Sequence, residues 1–456
     1  MNKSMCSLTH KYNVPGPRYT SYPTVPYWDT SNFSGQQWKE RVKCSFQKSV
    51  QEGISVYIHL PFCEQMCTFC GCHKRITKRH EVERPYIKAV LQEWALHREL
   101  LGERPLIKEL HLGGGTPSFF SPENLAYLIE GIFRMADTDP HAQLSFEGHP
   151  NNTTSAHLQK LYDLGFRRVC FGVQDYNSKV QKAINRVQSV AQVKKVTDLA
   201  RSIGYQSVGH DLVYGLPFQT LENVEETLYE TALLQPDRIA LYSYAHVPWR
   251  EGNGQRGFKD IDLPSTHEKQ AQQEKGQAFL IANGYHEIGM DHYAKTEDQL
   301  YQAALNKELH RNFMGYTPTK TRLMIGLGAS SISDSWNAFA QNVKSIEEYQ
   351  HLVANDIIPV YRGHLLNEED LIIRKHILNL MCRFETSWVA KEACLINFEQ
   401  LKDRLGPLAA DGLIIMSADS LKVTAKGKPF VRNICMAFDI KLQRKKPETR
   451  LFSMTV

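Results

Sequence analysis

Residues Val56 to Cys72 read Val-Tyr-Ile-His-Leu-Pro-Phe-Cys-Glu-Gln-Met-Cys-Thr-Phe-Cys-Gly-Cys. The first five are β-branched, aromatic or apolar, which predicts a strand, and the proline and phenylalanine that follow turn the chain into a loop. Four of the ten cysteines lie in that loop, as Cys63, Cys67, Cys70 and Cys72. Thiols spaced four and then three residues apart on a short loop can turn toward one point. This spacing favours a metal or an iron–sulfur cluster over disulfides.

Two other uses of these cysteines fit the sequence less well. A structural zinc site takes four tetrahedral ligands, usually from two separated pairs, and no second pair lies near in sequence. A disulfide framework is typical of exported chains, and residues 1–30 contain no apolar signal segment. Three thiolates on a four-iron cluster would leave one iron open, as in a catalytic centre. We therefore expect one [4Fe-4S] cluster, with zinc as the remaining alternative.

The Cys-x3-Cys-x2-Cys loop after a first strand resembles the radical S-adenosylmethionine (SAM) superfamily. The longer string from Tyr57 to Cys72 resembles one family within it, the oxygen-independent coproporphyrinogen III oxidases of haem biosynthesis. The resemblance extends nearly end to end, through Tyr12–Thr24, Gly289–Tyr293, His310–Tyr316 and Arg432–Met436.

The chain departs from the family pattern at two places. Glu147 is followed by Gly-His-Pro where relatives often have Val-Asp-Pro, and Met314 stands where one branch has glutamine. Both departures affect the expected details of substrate contact, and neither affects the radical chemistry.

The composition is that of an ordinary soluble globular protein. The 456 residues are 42% hydrophobic and 23% charged, and no apolar run approaches the roughly 20 residues of a membrane helix. The net charge of +5 is mild and suits acidic small-molecule substrates, whereas nucleic-acid binding would need a clustered basic stripe. We expect a cytoplasmic protein with no nucleic-acid or membrane partner.

Short apolar runs alternate with amphipathic stretches in the middle of the chain, which predicts parallel βαβ units. The six predicted strands are Val56–Leu60, Ile107–Leu112, Gln143–Glu147, Arg168–Val173, Ser207–Val213 and Arg238–Tyr244. The predicted helices between them are Glu83–Leu100, Pro122–Met135, Ser155–Leu164, Val190–Ile203 and Leu221–Leu233. Periodicity alone fits an α/β doubly wound sheet or a barrel, and the resemblance implies a partial (β/α)6 barrel.

The chain divides into three predicted parts. Residues 1–55 form an N-terminal extension that covers the substrate, residues 56–362 the barrel with an extension, and residues 363–456 a small C-terminal domain. In the last part, helices at Asp370–Cys382, Phe398–Ala410 and Lys428–Ile434 accompany a hairpin of Gly412–Met416 and Ser420–Val423. This pattern predicts a mainly helical, winged-helix-like domain. We expect it to pack over the active site, because it lacks a basic recognition helix, and we interpret the basic tail Lys441–Arg450 as a solvated terminus.

Polar residues and glycines follow the predicted strands, at the edge where ligands bind in parallel α/β folds. The run Gly113-Gly-Gly-Thr-Pro117 would let the backbone approach a ligand closely, although the same residues are also typical of a tight turn between a strand and a helix. Glu147 ends the third predicted strand, where its carboxylate could accept hydrogen bonds from ribose hydroxyls or an ammonium group. Asp211 lies inside an apolar strand, where a carboxylate must be paired or face a cavity. Gln174 and Arg186 follow the fourth strand, and arginine offers a planar fork for a carboxylate.

The resemblance assigns roles to these and neighbouring residues. Cys63, Cys67 and Cys70 are implied to hold the cluster, and Cys72 is not. The family is described as binding two SAM molecules. The residues implied to line the cluster-bound SAM are Tyr57, Gly114, Glu147, Ala245 and Ile332. Those implied to line the second SAM are Phe69, Gly115, Thr116, Gln174, Arg186 and Asp211.

The implied reaction breaks an unactivated C–H bond on a propionate side chain, which no acid or base in the chain achieves. A reduced cluster passes an electron into SAM and releases a 5′-deoxyadenosyl radical that takes the hydrogen, and loss of CO2 and one more electron leaves a vinyl group. The implied partners are coproporphyrinogen III and an electron donor such as flavodoxin or ferredoxin, and we expect a monomer. Arg18 is a candidate for a propionate partner.

Two related activities are alternatives: a radical methyltransferase acting on tetrapyrroles, and a haem-carrying chaperone with the same barrel. Those relatives are generally shorter at the N terminus and typically lack the last cysteine of the loop. The presence of Tyr12–Thr24 and Cys72 therefore favours the oxidase.

Overall fold

The computed structural model of the protein describes residues 3–249, 254–255, 257–445 and 451–455. At its centre lies a sheet of twelve strands, of which six are parallel and neighbour one another in chain order. These strands are β1 (Ile54–Leu60), β2 (Leu106–Gly114), β3 (Asp137–Gly148), β4 (Arg168–Gln174), β5 (Ser207–Tyr214) and β6 (Arg238–Ser243). A doubly wound sheet reverses its strand order partway, and this one does not. The expected partial (β/α)6 barrel is therefore confirmed.

The helices that connect the six strands match the predicted ones closely. They are Glu83–Leu101, Pro122–Arg134, Ser155–Asp163, Val190–Ile203 and Leu221–Leu234, with a short extra helix at Ser178–Ala183. Several begin at a hydroxyl side chain that accepts a hydrogen bond from a backbone amide of the first turn, as Ser189 and Thr220 do. Their apolar faces cover the outside of the strands, and together they bury one large core.

Six further strands extend the sheet at its two edges. Beside β1 lie in turn Met324–Leu327, Ile332–Asp334, Ala338–Asn342 and Val360–Leu365, and beside β6 lie His292–Ala294 and His286–Gly289. Met324–Leu327 pairs with β1 in parallel, and the other extension strands are antiparallel to their neighbours. The predicted boundaries after residues 55 and 362 both fall inside strands of this sheet.

The extension also contains three helices and a separate hairpin. The helices are Thr266–Ala282, Gln299–Leu305 and Ile346–Ala354, and the hairpin pairs His310–Asn312 with Gly315–Thr317. Two N-terminal helices precede the barrel, at Lys3–Tyr12 and Gly35–Lys48. The second starts at a capping box between Ser34 and Gln37.

The C-terminal part has the predicted order of elements and packs around a second hydrophobic core, to which Leu8, Tyr19 and Tyr22 of the N-terminal segment also contribute. The helices are Glu368–Arg383, Ala390–Leu395, Phe398–Ala410, Val431–Phe438 and Ile440–Arg444, and a three-stranded sheet joins Glu385–Ser387, Ser420–Val423 and Ile414–Met416. This arrangement bears out the winged-helix-like prediction.

The basic tail is more ordered than expected. Lys441 lies in the helix Ile440–Arg444 and pairs with buried Asp370 at 3.3 Å, and Arg444 makes a bidentate pair with Glu369. The solvated-terminus interpretation is therefore wrong for Lys441, whose side chain the buried carboxylate of Asp370 draws in, whereas residues 443–445 are exposed as expected. Residues 446–450 lie outside the described part. No helix that the structure describes is long and apolar enough to cross a bilayer.

Glu93 is a fully buried carboxylate that ties the helix Glu83–Leu101 to the extension. It accepts hydrogen bonds from the Gly328 amide at 2.8 Å, the Tyr349 hydroxyl at 2.6 Å and the Asn342 side chain at 2.6 Å. Burial nevertheless dominates and raises the pKa of the Glu93 carboxyl to about 7. The folded state therefore holds this proton more tightly than the unfolded chain does.

We expect the free energy of unfolding to reflect this titration. Because the pKa of Glu93 is higher in the folded state, protonation of this carboxyl stabilises the folded state fully at pH values below about 4.5, its pKa in the unfolded chain. That stabilisation is lost as the pH rises toward 7, its pKa in the folded state. Between pH 5 and pH 8, wild type should lose about 2 kcal/mol relative to the Glu93→Gln variant, which cannot titrate. Urea unfolding at both pH values measures the difference, and parallel pH profiles would contradict the assignment.

Candidate active site

The cavity that contains the candidate site lies at the C-terminal ends of the barrel strands. It has a volume of about 930 Å³ and receives residues from the ends of β2 to β6, from the cysteine loop and from both ends of the chain. Of the residues expected from the sequence, those that line it are Cys63, Cys67, Phe69, Cys70, Gly114, Gly115, Thr116, Glu147, Gln174, Arg186, Asp211 and Ala245. The strand-end argument therefore brings most of its candidates into one space.

The cysteine loop is fixed by backbone hydrogen bonds to a turn after the fourth strand. Thr68 donates from its amide to Ile184 at 3.0 Å and from its hydroxyl to the Ala183 carbonyl at 2.9 Å. Asn185, which has a positive φ of 52°, donates from its side chain to the Met66 carbonyl at 2.8 Å. The position of the thiols therefore depends on this turn as well as on β1.

The three thiols of Cys63, Cys67 and Cys70 are half-buried, and that of Cys72 is exposed. A hydrogen bond from the Cys72 thiol, and then the charge of Lys74, lower the pKa of Cys70 to about 6, while burial raises the pKa of Cys63 to about 11. Arg186 lies 3.6 Å from the Cys67 sulfur, and Lys74 donates to the carbonyls of Cys70 and Cys72. Two cations thus stand where thiolates would add negative charge.

These residues fit an iron–sulfur cluster. Three soft sulfur donors line one cavity, beside cations that compensate their charge. Among the residues that the structure describes, no three His, Cys, Asp or Glu side chains converge tightly enough for a single metal ion. In a [4Fe-4S] cluster each thiolate binds a different iron, so the thiols need not converge on one point.

The glycine run packs its backbone directly against the end of β1. A Cβ atom on Gly115 would lie 2.6 Å from the Pro61 carbonyl oxygen, and one on Gly114, at φ 120°, would lie 2.9 Å from the Leu60 amide. The Thr116 hydroxyl then reaches the Cys63 sulfur at 3.3 Å. Glycine is required here for the close approach of two backbones, and contact of this run with a ligand stays a prediction.

Two carboxylates face the cavity, Glu147 near the end of β3 and Asp211 within β5, and β4 lies between these two strands. Glu147 is about half exposed and lies 3.4 Å from His111. Asp211 accepts a hydrogen bond from the Cys170 thiol at 3.3 Å. Burial, and then the charge of Glu147, raise the pKa of Asp211 to about 7, which places its proton within reach of physiological pH.

Gln174 and Arg186 lie beside one another across Gly172. The guanidinium of Arg186 donates to the Gly172 carbonyl at 2.5 Å, and its buried Nε has no partner in the described part of the chain. Gln174 adopts a positive φ of 69°, which turns the end of the strand toward the cavity. Arg186 is thus a partly buried cation with a donor to spare, a position suited to a carboxylate.

Two expected residues do not line the cavity. Tyr57 stacks on His111 below the glycine run, and its hydroxyl lies 3.0 Å from His59 Nδ1. Ile332 packs in an apolar cluster with Trp28 and Phe339. Both lie near the site without facing its space.

Several lining residues were not expected. Tyr242 lies at the end of β6, where the strand-end argument that selected Glu147 should have found it. Gln255 donates to the carbonyls of Phe69 and Ala245, and Leu451–Ser453 lines the mouth, but no sequence pattern indicates either.

The N-terminal candidate and the two family departures occupy different positions. Arg18 lines the cavity but is paired with Asp291 at 3.1 Å. His149 also lines it, and burial, followed by the nearby Arg186, lowers the pKa of its imidazole to about 3. Met314 lies in the hairpin turn, away from the cavity lining.

Comparison with known proteins agrees with this geometry. The model of the radical SAM superfamily matches residues 57–229. Oxygen-independent coproporphyrinogen III oxidases from Synechocystis and Escherichia coli are each 37% identical to this chain, over 98% and 96% of it and 97% and 96% of their own lengths. The chain belongs to the oxygen-independent coproporphyrinogen III oxidase family.

A solved structure of a member of this oxidase family has the same fold. It is coproporphyrinogen III oxidase from Escherichia coli, described as a radical SAM enzyme, with a TM-score of 0.86 and 35% identity over 93% of this chain and 97% of that one. A [4Fe-4S] cluster and SAM follow from the family. The oxidase family thus supplies the cofactors to which the thiols and the cavity are suited.

We expect the ligand set to be separable by substitution. Cys63→Ser, Cys67→Ser and Cys70→Ser should each lose the cluster, because a three-thiolate site has no spare ligand. Cys72→Ser is the matched control and should keep about four irons per chain, as wild type does. Iron and sulfide analysis after anaerobic reconstitution measures both. A Cys72 variant without iron beside an iron-loaded Cys63 variant would refute this ligand set.

Proposed function

We propose that this protein converts two propionate side chains of coproporphyrinogen III to vinyl groups by oxidative decarboxylation, giving protoporphyrinogen IX. The observation that carries the proposal is the cavity itself, in which three thiols, a glycine run and two carboxylates meet at the open end of a partial barrel. The chain is an oxidoreductase of haem biosynthesis. Neither the haem-carrying chaperone nor the methyltransferase is favoured by any feature of this site.

When bound, a [4Fe-4S] cluster and SAM would supply the one-electron chemistry that side chains lack and that removal of a hydrogen from the propionate β-carbon needs. The chain's own residues bind, orient and protect. Cys63, Cys67 and Cys70 would hold three irons and leave the fourth for SAM. Lys74 and Arg186 balance the negative charge of this centre.

We propose that two SAM molecules bind in this cavity. Gly114, Glu147 and Ala245 line the first, and Tyr57 and Ile332 support it from outside the cavity lining. Glu147 offers a half-exposed carboxylate to ribose hydroxyls or to an ammonium group. The second lies against Phe69, Gly115, Thr116, Gln174, Arg186 and Asp211. The Nε–H of Arg186, which has no partner among the described residues, is available to bind the carboxylate of this second SAM.

Exclusion of water is the remaining task of the protein, because a carbon radical must meet only its substrate. Residues 16–26 from the N-terminal segment and Leu451–Ser453 from the C-terminal end both line the cavity. The backbones of these two segments are hydrogen-bonded, with the Gly16 amide donating to the Ser453 carbonyl at 3.0 Å. We propose that this cover closes over the substrate.

The remaining features of the proposal concern the surroundings of the reaction. We propose that a flavodoxin- or ferredoxin-like protein supplies the electron, that the enzyme acts as a monomer in the cytoplasm, and that it needs no nucleic-acid or membrane partner. Anaerobic incubation of the reconstituted enzyme with SAM, a reductant and coproporphyrinogen III tests the core of the proposal. Product masses should show two successive losses of CO2 and two hydrogens, and bound haem without any vinyl product would establish the chaperone instead.

We expect each product molecule to consume two SAM, because each decarboxylation needs one hydrogen abstraction. Glu147→Ala should lower 5′-deoxyadenosine formation by about tenfold or more, since it loses charged hydrogen bonds to the first SAM. Glu103→Ala, which changes an exposed carboxylate just before β2, is the control and should behave as wild type.

Asp211→Ala separates the two SAM sites. It should retain 5′-deoxyadenosine formation while the mono-vinyl intermediate accumulates, because the second site is impaired. Chromatography of 5′-deoxyadenosine and of the porphyrins after oxidation measures both outcomes. An Asp211→Ala variant that yields no 5′-deoxyadenosine would count against separate sites.

A further inference from the structure

One wall of the cavity consists of main-chain carbonyls that accept hydrogen bonds from cations behind them. The first four belong to consecutive residues of the segment Gly16–Tyr19, which lines the cavity. Arg432 donates to the carbonyls of Gly16 and Pro17, the second at 2.9 Å. Arg311 donates to the carbonyls of Arg18 and Tyr19, at 3.3 and 3.4 Å.

The end of β6 continues this wall in the same way. The Arg18 side chain donates to the Ser243 carbonyl at 2.7 Å, and Lys269 donates to the Tyr244 carbonyl at 3.0 Å. Ser243 and Tyr244 both line the cavity, as does Arg18, whereas the other three cations stand behind the lining. Four positive side chains thus converge on one wall.

The described residues around these four cations balance little of their charge. Within the described residues, Asp291 is the one carboxylate in an ion pair with this group, through Arg18. Arg311 and Arg432 are only 5% and 4% exposed and bind neutral carbonyls, and Arg311 Nη1 is buried with no partner among the described residues. Burial, and then the charges of Arg18 and Arg432, lower the pKa of Lys269 to about 8. A buried excess of positive charge is unfavourable until an anion joins it.

We propose that this wall is a subsite for a propionate carboxylate of the substrate, with Arg18 as the contact and Lys269, Arg311 and Arg432 as positioning residues behind it. The proposal rests on the proposed function, since it takes a carboxylate of that substrate as the ligand. Arg18 keeps donors available beyond its bonds to Asp291 and Ser243, because a guanidinium has five N–H groups. The three cations behind the lining act through their field, which a low-dielectric wall transmits into the cavity.

Lys269 offers the sharpest test, because it does not line the cavity and its helix supplies a matched control. Lys275 lies on the same helix and pairs with Glu225 at 2.6 Å at the surface. The probe is coproporphyrin III, the stable fluorescent tetracarboxylate of the same ring system, compared with its neutral tetramethyl ester. Binding to the reconstituted full-length enzyme is followed by fluorescence at two salt concentrations.

Lys269→Met should raise the Kd for coproporphyrin III about tenfold and weaken its salt dependence. The ester should bind the variant and wild type equally, Lys269→Arg should restore the acid's affinity to within about twofold, and Lys275→Met should change nothing. With coproporphyrinogen III as substrate, KM should rise while kcat and SAM cleavage are retained.

An equal loss of affinity for acid and ester would assign Lys269 a purely structural role and overturn the subsite, as would an unchanged Kd for the acid. The proposed function fails separately. Wild type that binds the acid in a Lys269-dependent way but forms no vinyl product would preserve the carboxylate subsite and refute the oxidase. If wild type forms product and the Lys269→Met variant binds the acid as wild type does, the oxidase function is preserved and the carboxylate subsite is refuted.

Discussion

Two backbone segments approach each other closely at the open end of the barrel, and the arrangement of the site depends on that approach. Leu60–Phe62 ends β1 and leads into the cysteine loop, and Gly114–Thr116 ends β2 beside it. The Gly115 amide donates to the Leu60 carbonyl at 2.8 Å, and the Thr116 amide donates to the Phe62 carbonyl at 3.0 Å. Any side chain at Gly115 would separate the two segments. Their contact aligns the thiols with the other strand ends, so the cysteines, the glycine run and Glu147 face one space.

The barrel could be predicted from the sequence because its strands are long, apolar and separated by amphipathic helices. Val190–Ile203 agrees with the observed helix at both ends, since a capping serine precedes it and Gly204, at φ 113°, ends it. The extension could not be predicted in the same way. Ile332–Asp334 has only three residues and is a strand because Met324–Leu327 and Ala338–Asn342 lie on either side of it. Tertiary pairing, rather than local pattern, makes such strands.

The residues of the site also fall into those that a local sequence pattern predicts and those that depend on tertiary structure. Residues at the ends of predicted strands, such as Glu147 and Gln174, can be placed from the sequence, because parallel strands share one functional edge. Tyr242 lies near the end of β6 and obeys the same rule. Residues that reach the cavity from distant segments, such as Gln255 and Phe452, carry no local signal. The cations behind the cavity wall could not be predicted from the sequence either, because no sequence pattern distinguishes an arginine that binds backbone carbonyls from other arginines.

The pairing of the two chain ends at the cavity mouth has a consequence for folding. The Thr455 amide donates to the Val14 carbonyl at 2.9 Å, and the Val14 amide donates to the Thr455 hydroxyl at 3.1 Å, across 441 positions of sequence. The contacts within β1 to β6 join neighbouring strands over much shorter separations. Closing so long a loop carries a larger entropic cost than closing the βαβ units, so the barrel can assemble before its cover. The same ordering applies in reverse: the mouth is the part of the cavity that opens with the least disturbance to the strands beneath it. Separation of the two chain ends would therefore leave the strands and the cysteine loop in place.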